Sequence, residues 1–383
     1  MSKAPLNILI MALADVSTNP RPRRLADYCT ELGHRVSIAG FPMKTPLDHK
    51  RFYTLEPQPA PGRLNKLRRI VLKLGIALLK HEKLITLLHD NRWRTSRVEY
   101  ETADEDFDLI FVENLYLLPL AFQIRKRGKI ICDAREYYPE ETGNDWKWNL
   151  FEKPYRNHLC ARYMAACDSV LTVSEGLQNL YREHFGIECT LMRSAPLYRE
   201  ATPTPTPAKH IRMVHHGRAV PDRQLETMIE AAGTLGPRYS LDFYLTGPQD
   251  YIETLKKLAA PFPHIGFPPP VPLDEIHTML TGYDLGLCLL EPSNVNLRYC
   301  LPNKFFECIQ ARLAVLSGPS PDMATLIQHY GCGFVSEGFQ TADLMTLLQS
   351  LTQSQIDGAK NAADIAAREL CFEQERKILP HLV

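Results

Sequence analysis

The 383-residue sequence has no Cys-x-x-Cys pair, no Gly-x-Gly-x-x-Gly loop, no uncharged apolar run of membrane-spanning length, and no excess of charge of either sign. Each absence excludes something. Ten cysteines without that spacing, several of them inside apolar runs, read as buried free thiols in a reducing compartment rather than as a disulfide framework. A nicotinamide dehydrogenase would lack its phosphate loop, and Gly331-Cys-Gly333 is too short to replace it. A spanning helix needs about 20 apolar residues. The N-terminal MSKAPLNILIMALAD has one lysine, a short apolar run and no small-residue cleavage site, so the expectation is a cytoplasmic protein. Lys plus Arg and Asp plus Glu number 44 each, so no global field draws nucleic acid, and none is expected as a partner.

What is present is ordinary globular material, 45% hydrophobic and 23% charged, in a length that suits two to three domains. The first half alternates short apolar runs with helix-like stretches: Asn7–Ala12, Arg35–Phe41, Asp108–Glu113, Lys129–Asp133, Ser169–Ser174 and, more weakly, Cys189–Ser194. Runs that are continuously apolar suit a parallel sheet buried on both faces. A Pro/Thr run, ATPTPTPA at 201–208, favours extended chain and reads as a linker. The alternation then restarts at Ile211–His216, Leu241–Thr246, Leu285–Leu290, Ala314–Ser317 and Gly333–Ser336. The expectation is α/β, two doubly wound Rossmann-like domains facing across a cleft. Residues 1–200 form the first, 201–209 the linker, 210–352 the second and 353–383 a helical tail packing back on the first. From Thr341 onward the chain reads as helical, with Leu344, Leu347, Leu348 and Leu351 on one face.

Doubly wound sheets bind ligands where loops leave the carboxyl ends of their strands. RMVHHG ends at Gly217, and Arg218 and Arg223 follow before an amphipathic helix, a place where free amides already favour phosphate. In LRYCLPNKFFECIQARLAVLSGPS, from Leu297, Pro302 suits a helix start, Asn303 and Lys304 present amides and charge there, and Glu307 lies one turn on. A plain ion pair between Lys304 and Glu307 is the alternative. His215-His216 has no partners at metal-ligand spacing, Asp104-Glu-Asp106 precedes its strand as a solvated loop, and no metal site is expected.

Taken in order, these segments resemble the retaining nucleotide-sugar glycosyltransferases of the GT-B fold, family four. Gly-Arg-x-x-x-x-basic is similar to that family's phosphate site, with Arg223 where Lys is usual. LPNKFFE resembles the end of its E-x7-E motif, and LTGP around Gly247 and the segment from Gly318 to Val335 fit the same half. The resemblance implies that Arg218, Arg223 and Glu307 act on the donor diphosphate and hydroxyls. Gly217, Gly247, Tyr299, Asn303, Lys304 and Gly318 would line the donor site. It implies transfer of a hexosyl or related group to an envelope glycan or lipid-linked acceptor with retained configuration, using no cofactor and no metal. Two positions depart from the pattern. Tyr299 stands where the motif's first Glu falls, and Arg135 stands where many relatives carry His in D-x-H-E. An always-charged guanidinium cannot act as a base; it binds an anion, or pairs with Glu136 or Glu140. Asn19, Arg21, Arg23 and Arg24 cluster at a helix start, so Asn19, Arg21, Arg24, Arg135 and Glu136 are the expected acceptor-side set. Alternatives are another GT-B reaction, an epimerase or phosphorylase, or a catalytically inactive subunit that binds a partner.

Residues 63–97 hold ten basic side chains against Glu82 and Asp90. Leu67, Ile70, Val71, Leu74 and Leu78 make an apolar stripe beside Lys66, Arg69, Lys73 and Lys80. This segment either lies on an anionic membrane surface, making the protein peripheral on the inner face, or packs on the core with a solvated basic edge.

Overall fold

The computed structural model describes residues 4–49, 51–57, 62–141 and 146–382. They form two compact units, Met1–Met192 with Ile378–Val383, and Arg193–Lys377.

In the first unit seven parallel strands take the order β3-β2-β1-β4-β5-β6-β7. They are β1 Asn7–Met11, β2 Arg35–Gly40, β3 Arg51–Thr54, β4 Leu109–Val112, β5 Lys129–Ala134, β6 Ser169–Thr172 and β7 Cys189–Leu191. Ile8 sits between Val36 and Leu109 in register, so β1 and β4 are central and the winding reverses between them. All four β4 residues are buried, as their unbroken apolar run requires. The strand β3 has no counterpart among the sequence expectations. It is an edge strand in which only Tyr53 is buried, so RFYT lacks the apolar run that betrays the others.

The second unit has six parallel strands in the order β10-β9-β8-β11-β12-β13. These are β8 Ile211–Arg218, β9 Tyr239–Thr246, β10 Ile265–Gly266, β11 Leu285–Cys288, β12 Ala314–Ser317 and β13 Gly333–Val335. Its winding reverses between β8 and β11, where Leu285 pairs with Met213. Leu285 and Leu287 pack with Met213, Leu241 and Phe243 on one face, while Val214, Cys288 and Val315 pack with Phe305 and Ile309 on the other. That two-sided burial explains the apolar strands. The two-residue β10 was too short to register in the sequence.

The change of unit falls between Met192 and Arg193, and the Pro/Thr run lies inside the second unit. There Thr206 is clamped: its amide donates to Asp357 Oδ1 at 2.7 Å and its carbonyl accepts from Gln353 Nε2 at 2.7 Å. The helical end of the chain is broken rather than continuous. The Thr341–Ser350 helix buries Leu344 and Leu348, and Thr352 then starts a new helix, Gln353–Glu369, with a capping box through Gln355. Only Ile378 onward belongs with the first unit.

Most of residues 63–97 lie in three helices, Arg63–Leu79, Glu82–Trp93 and Thr95–Glu101. The first turns Leu72 and Ile76 inward, which leaves Leu67, Val71 and Leu78 exposed. The described residues contain no helix long and apolar enough to cross a membrane.

Candidate functional site

In the second unit the carboxyl ends of β8 and β11 gather most of the residues expected to hold a donor. Gly217 has φ 121, a left-handed conformation that an L side chain resists, and it ends the strand with bare backbone. A Cβ there would stand 3.6 Å from Lys304 Nζ, so the lysine lies directly against the turn. Gly247, at the end of β9, has φ 120 and approaches the Ala219 carbonyl. After Gly217 the exposed Arg218 leads into a turn of 3₁₀ helix, Pro221–Arg223. Gln224, at φ 52, then ties that turn to the end of β11 by a hydrogen bond to Glu291. Arg223 is thereby fixed beside the strand ends, close enough for its charge to act on Lys304.

Pro302 immediately precedes the Asn303–Gln310 helix, which buries Phe305, Phe306, Cys308 and Ile309. With that face fixed in the core, Lys304 and Glu307, three residues apart, both reach β8. They do not pair with each other. Glu307 Oε2 accepts from His216 Nε2 at 2.8 Å, and Lys304 Nζ donates to His215 Nε2 at 3.0 Å. His215 can accept there because its Nδ1 donates to the Leu287 carbonyl at 2.9 Å. Burial, then the neighbouring lysine, holds the His215 pKa well below its ordinary value. Lys304 is only 6% exposed and, among the described residues, has no carboxylate at ion-pair distance. Burial, reinforced by Arg223, lowers its pKa to about 7. A buried ammonium beside a bare turn, a second cation and helix-terminal amides is arranged to receive an anion.

Asn303 is half-buried at the first position of that helix. Tyr299 is half-buried under the Arg298 guanidinium, 5.6 Å from its ring centroid, so a phenol occupies the position of the motif's first carboxylate. Gly318 follows β12, where a Cβ would collide with the Phe339 ring, so packing explains that glycine.

In the first unit a second polar group forms at the ends of β1, β4 and β5. Asn19 precedes the Pro20–Glu31 helix but does not cap it; its Oδ1 accepts from Arg135 Nη1 at 3.4 Å. Arg21 is buried and bidentate on Asp133, Nε to Oδ2 at 2.6 Å and Nη2 to Oδ1 at 2.7 Å, while Nη1 donates to the Met192 carbonyl. Its guanidinium is therefore committed to binding the helix to the sheet. Arg135 pairs with neither Glu136 nor Glu140. Its partner is Glu113, at 3.4 Å. Glu140 is held instead by Lys153, and Glu136 is exposed, its carbonyl accepting from Tyr181 Oη at 2.6 Å. Arg24 is near enough to act electrostatically on Glu113.

Glu113 was not singled out from the sequence. It is 4% exposed and neither carboxylate oxygen accepts a hydrogen bond from the described residues. Burial, with nearby Asp133 adding to it against the pull of Arg135, raises its pKa to about 7. The signal available was positional, since Glu113 ends the apolar run LIFV as Asp133 ends its own. His215 was missed as a partner for Lys304, because that contact spans 89 residues of chain. Among the described residues, no three of His, Cys, Asp and Glu are grouped as metal ligands would be.

No family model matches this chain, and no curated protein sequence matches it. Solved structures do. A sucrose-phosphate synthase from Thermosynechococcus elongatus is similar with a TM-score of 0.74 at 12% identity, covering 98% of this chain and 97% of that one. HepE of Anabaena, in complex with UDP-glucose, superposes with a TM-score of 0.67 at 14% identity, covering 98% of this chain and 100% of that one. WaaG, a glycosyltransferase involved in lipopolysaccharide biosynthesis, gives 0.66 at 13% identity over 97% and 99%. At such identities the likeness is one of fold. With two parallel doubly wound sheets, of seven and six strands, this chain has the GT-B architecture of these proteins.

Proposed function

We propose that the chain is a glycosyltransferase that takes a sugar from a nucleoside diphosphate donor and moves it to a hydroxyl of an envelope glycan or lipid-linked acceptor. The observation that carries the reading is Lys304, a buried cation without a carboxylate partner, lying against the bare turn at Gly217 beside Arg223. A diphosphate supplies the missing negative charge, and its oxygens accept from the amides at the start of the Asn303–Gln310 helix. HepE, solved with UDP-glucose, and WaaG, of lipopolysaccharide biosynthesis, support the donor class and the acceptor class respectively.

In this reading the bond from the anomeric carbon to the diphosphate oxygen breaks as Arg218, Arg223 and Lys304 stabilise the charge left on that oxygen. The acceptor hydroxyl attacks from the face the diphosphate leaves, so configuration is retained, and its proton passes to the departing diphosphate. Glu307, oriented by His216, accepts hydrogen bonds from hydroxyls of the ribose or the donor sugar. No metal and no resident cofactor enter the scheme. On the first unit, Arg135, Arg24, Asn19 and Glu136 form the acceptor side.

The test is thermal denaturation of the full chain with a panel of nucleoside diphosphates and their sugars. Ligand at about 100 times its Kd stabilises by about 2.7 kcal/mol. One base should shift the melting temperature selectively, and Arg223→Ala should remove most of the shift. No shift with any nucleotide would defeat the proposal. It would favour the second reading, a non-catalytic GT-B subunit, to which Tyr299 in place of the motif's carboxylate gives some support.

A further inference from the structure

The Arg63–Leu79 helix presents its apolar stripe to solvent. Leu64 is 84% exposed, Leu67 and Val71 59% each and Leu78 79%. At 100° per residue these four lie within about a sixth of the helix circumference. Ile70 and Leu74, on the edge of the stripe, are half-buried. The inward side is held by Leu72 and Ile76, and by Lys73, whose ammonium pairs with Glu152. The outward stripe is therefore a surplus over what packing uses. Single exposed leucines need no explanation, but four on one face of one helix do.

The charge around this stripe has one sign. From Arg63 to Leu79 the sequence contains no Asp or Glu. Arg63 and Lys66 lie on one flank and Arg68 on the other; all three are exposed and have no ion-pair partner among the described residues. Acidic groups nearby are already engaged, Glu152 by Lys73 and Glu82 by Arg162 at 3.0 Å. The segment Trp148–Glu152 packs beside the same helix and adds the half-exposed Leu150, and Trp146 just before it is 65% exposed. Three of the more distant basic residues of the 63–97 segment are used internally. Arg92 stacks on Trp93, and Arg94 and Arg97 hold Glu56.

We infer that the first unit docks on an anionic bilayer through the outer face of the Arg63–Leu79 helix, with Leu64, Leu67, Val71 and Leu78 in the acyl boundary and Arg63, Lys66 and Arg68 at the headgroups. Charge complementarity selects the occupant. An apolar strip framed on both sides by unpaired cations fits a surface that is apolar within and anionic at its rim. The docking face is shorter than the basic segment of the sequence, because Arg92, Arg94 and Arg97 spend their charge on the protein. This inference stands independently of the glycosyl-transfer reading.

The experiment is co-sedimentation of the full chain with vesicles of phosphatidylglycerol and phosphatidylcholine, against vesicles of phosphatidylcholine alone. Binding should occur with the anionic vesicles only and weaken as salt is raised. Each of Lys66→Gln and Arg68→Gln should lower the partition about fivefold, and Leu67→Ser with Val71→Ser should lower it more than tenfold. These side chains are exposed, so the variants should retain the wild-type melting temperature. Emission from Trp146, isolated by comparison with Trp146→Phe, should shift to the blue on binding. Absence of sedimentation with anionic vesicles would overturn the inference, as would sedimentation indifferent to all four substitutions. A vesicle-independent dimer that Leu67→Ser with Val71→Ser dissociates would replace the bilayer with a second copy of the chain.

Discussion

Lys304 has the pKa, about 7, of a cation held without its counter-ion. If a diphosphate supplies that counter-ion, the ammonium is favoured in the complex and its pKa rises on binding. Above pH 7 the free protein carries mostly neutral amine and must take up a proton to bind. Affinity for a nucleoside diphosphate should then fall toward tenfold per pH unit between the free and bound pKa values, with uptake approaching one proton at pH 8. Calorimetry in two buffers of different ionisation heat measures that uptake, and Lys304→Gln should abolish it; zero uptake in the wild type would sink the idea. Glu113 has the opposite sense. Its carboxyl titrates near 4.5 when unfolded and about 7 when folded. Between those values the folded state binds the extra proton, so stability is lost as pH rises through the window. Glu113→Gln should therefore be more stable than wild type at pH 8, by about 3 kcal/mol, and melt higher, with most of the gap gone by pH 5. A variant that melts no higher at pH 8 would show that Arg135 already compensates the charge.

Among the elements, the Gln353–Glu369 helix illustrates how a local pattern acquires a distant task. Its alanines, Ala363, Ala366 and Ala367, pack on the Asn303–Gln310 helix side of the core, as small residues at helical spacing suggest. From the same helix Lys360, 1% exposed, reaches Asp284 at 2.9 Å, and Asp284 also accepts from Arg212 Nε at 3.0 Å. Burial would raise the Asp284 pKa, but the hydrogen bonds from Arg212 and Lys360 bring it below the ordinary value. The pair fastens the helix to the start of β11 and to β8. Removing one partner leaves a buried charge incompletely matched, so Lys360→Met should cost about 3 kcal/mol. For a unit of this size that is a drop of about 6–12 °C in melting temperature, readable by circular dichroism. A change below 2 °C would mean that Arg212 alone satisfies Asp284.

Across the whole molecule, the strands buried on both faces were legible in sequence because such burial writes an unbroken apolar run, as at Leu109–Val112 and Leu285–Cys288. The edge strand Arg51–Thr54 wrote no such run. The donor-side residues could be named because glycine turns, arginines and a proline-led helix start are local patterns, each within one stretch of chain. Their pairing could not be read. Lys304 with His215, Glu307 with His216, Arg21 with Asp133 and Arg135 with Glu113 join residues from 22 to 112 positions apart. Nothing in either local segment specifies its partner. The same holds for the Arg63–Leu79 helix, where periodicity drew an apolar stripe but packing chose Leu72 and Ile76 for the core. The sequence by itself determined the α/β class, the two-sheet order of events along the chain and the chemistry available at the strand ends. Tertiary structure decided which cation is left without a counter-ion and which apolar face is left without cover, because both are properties of what remains unmatched once every other contact has been made.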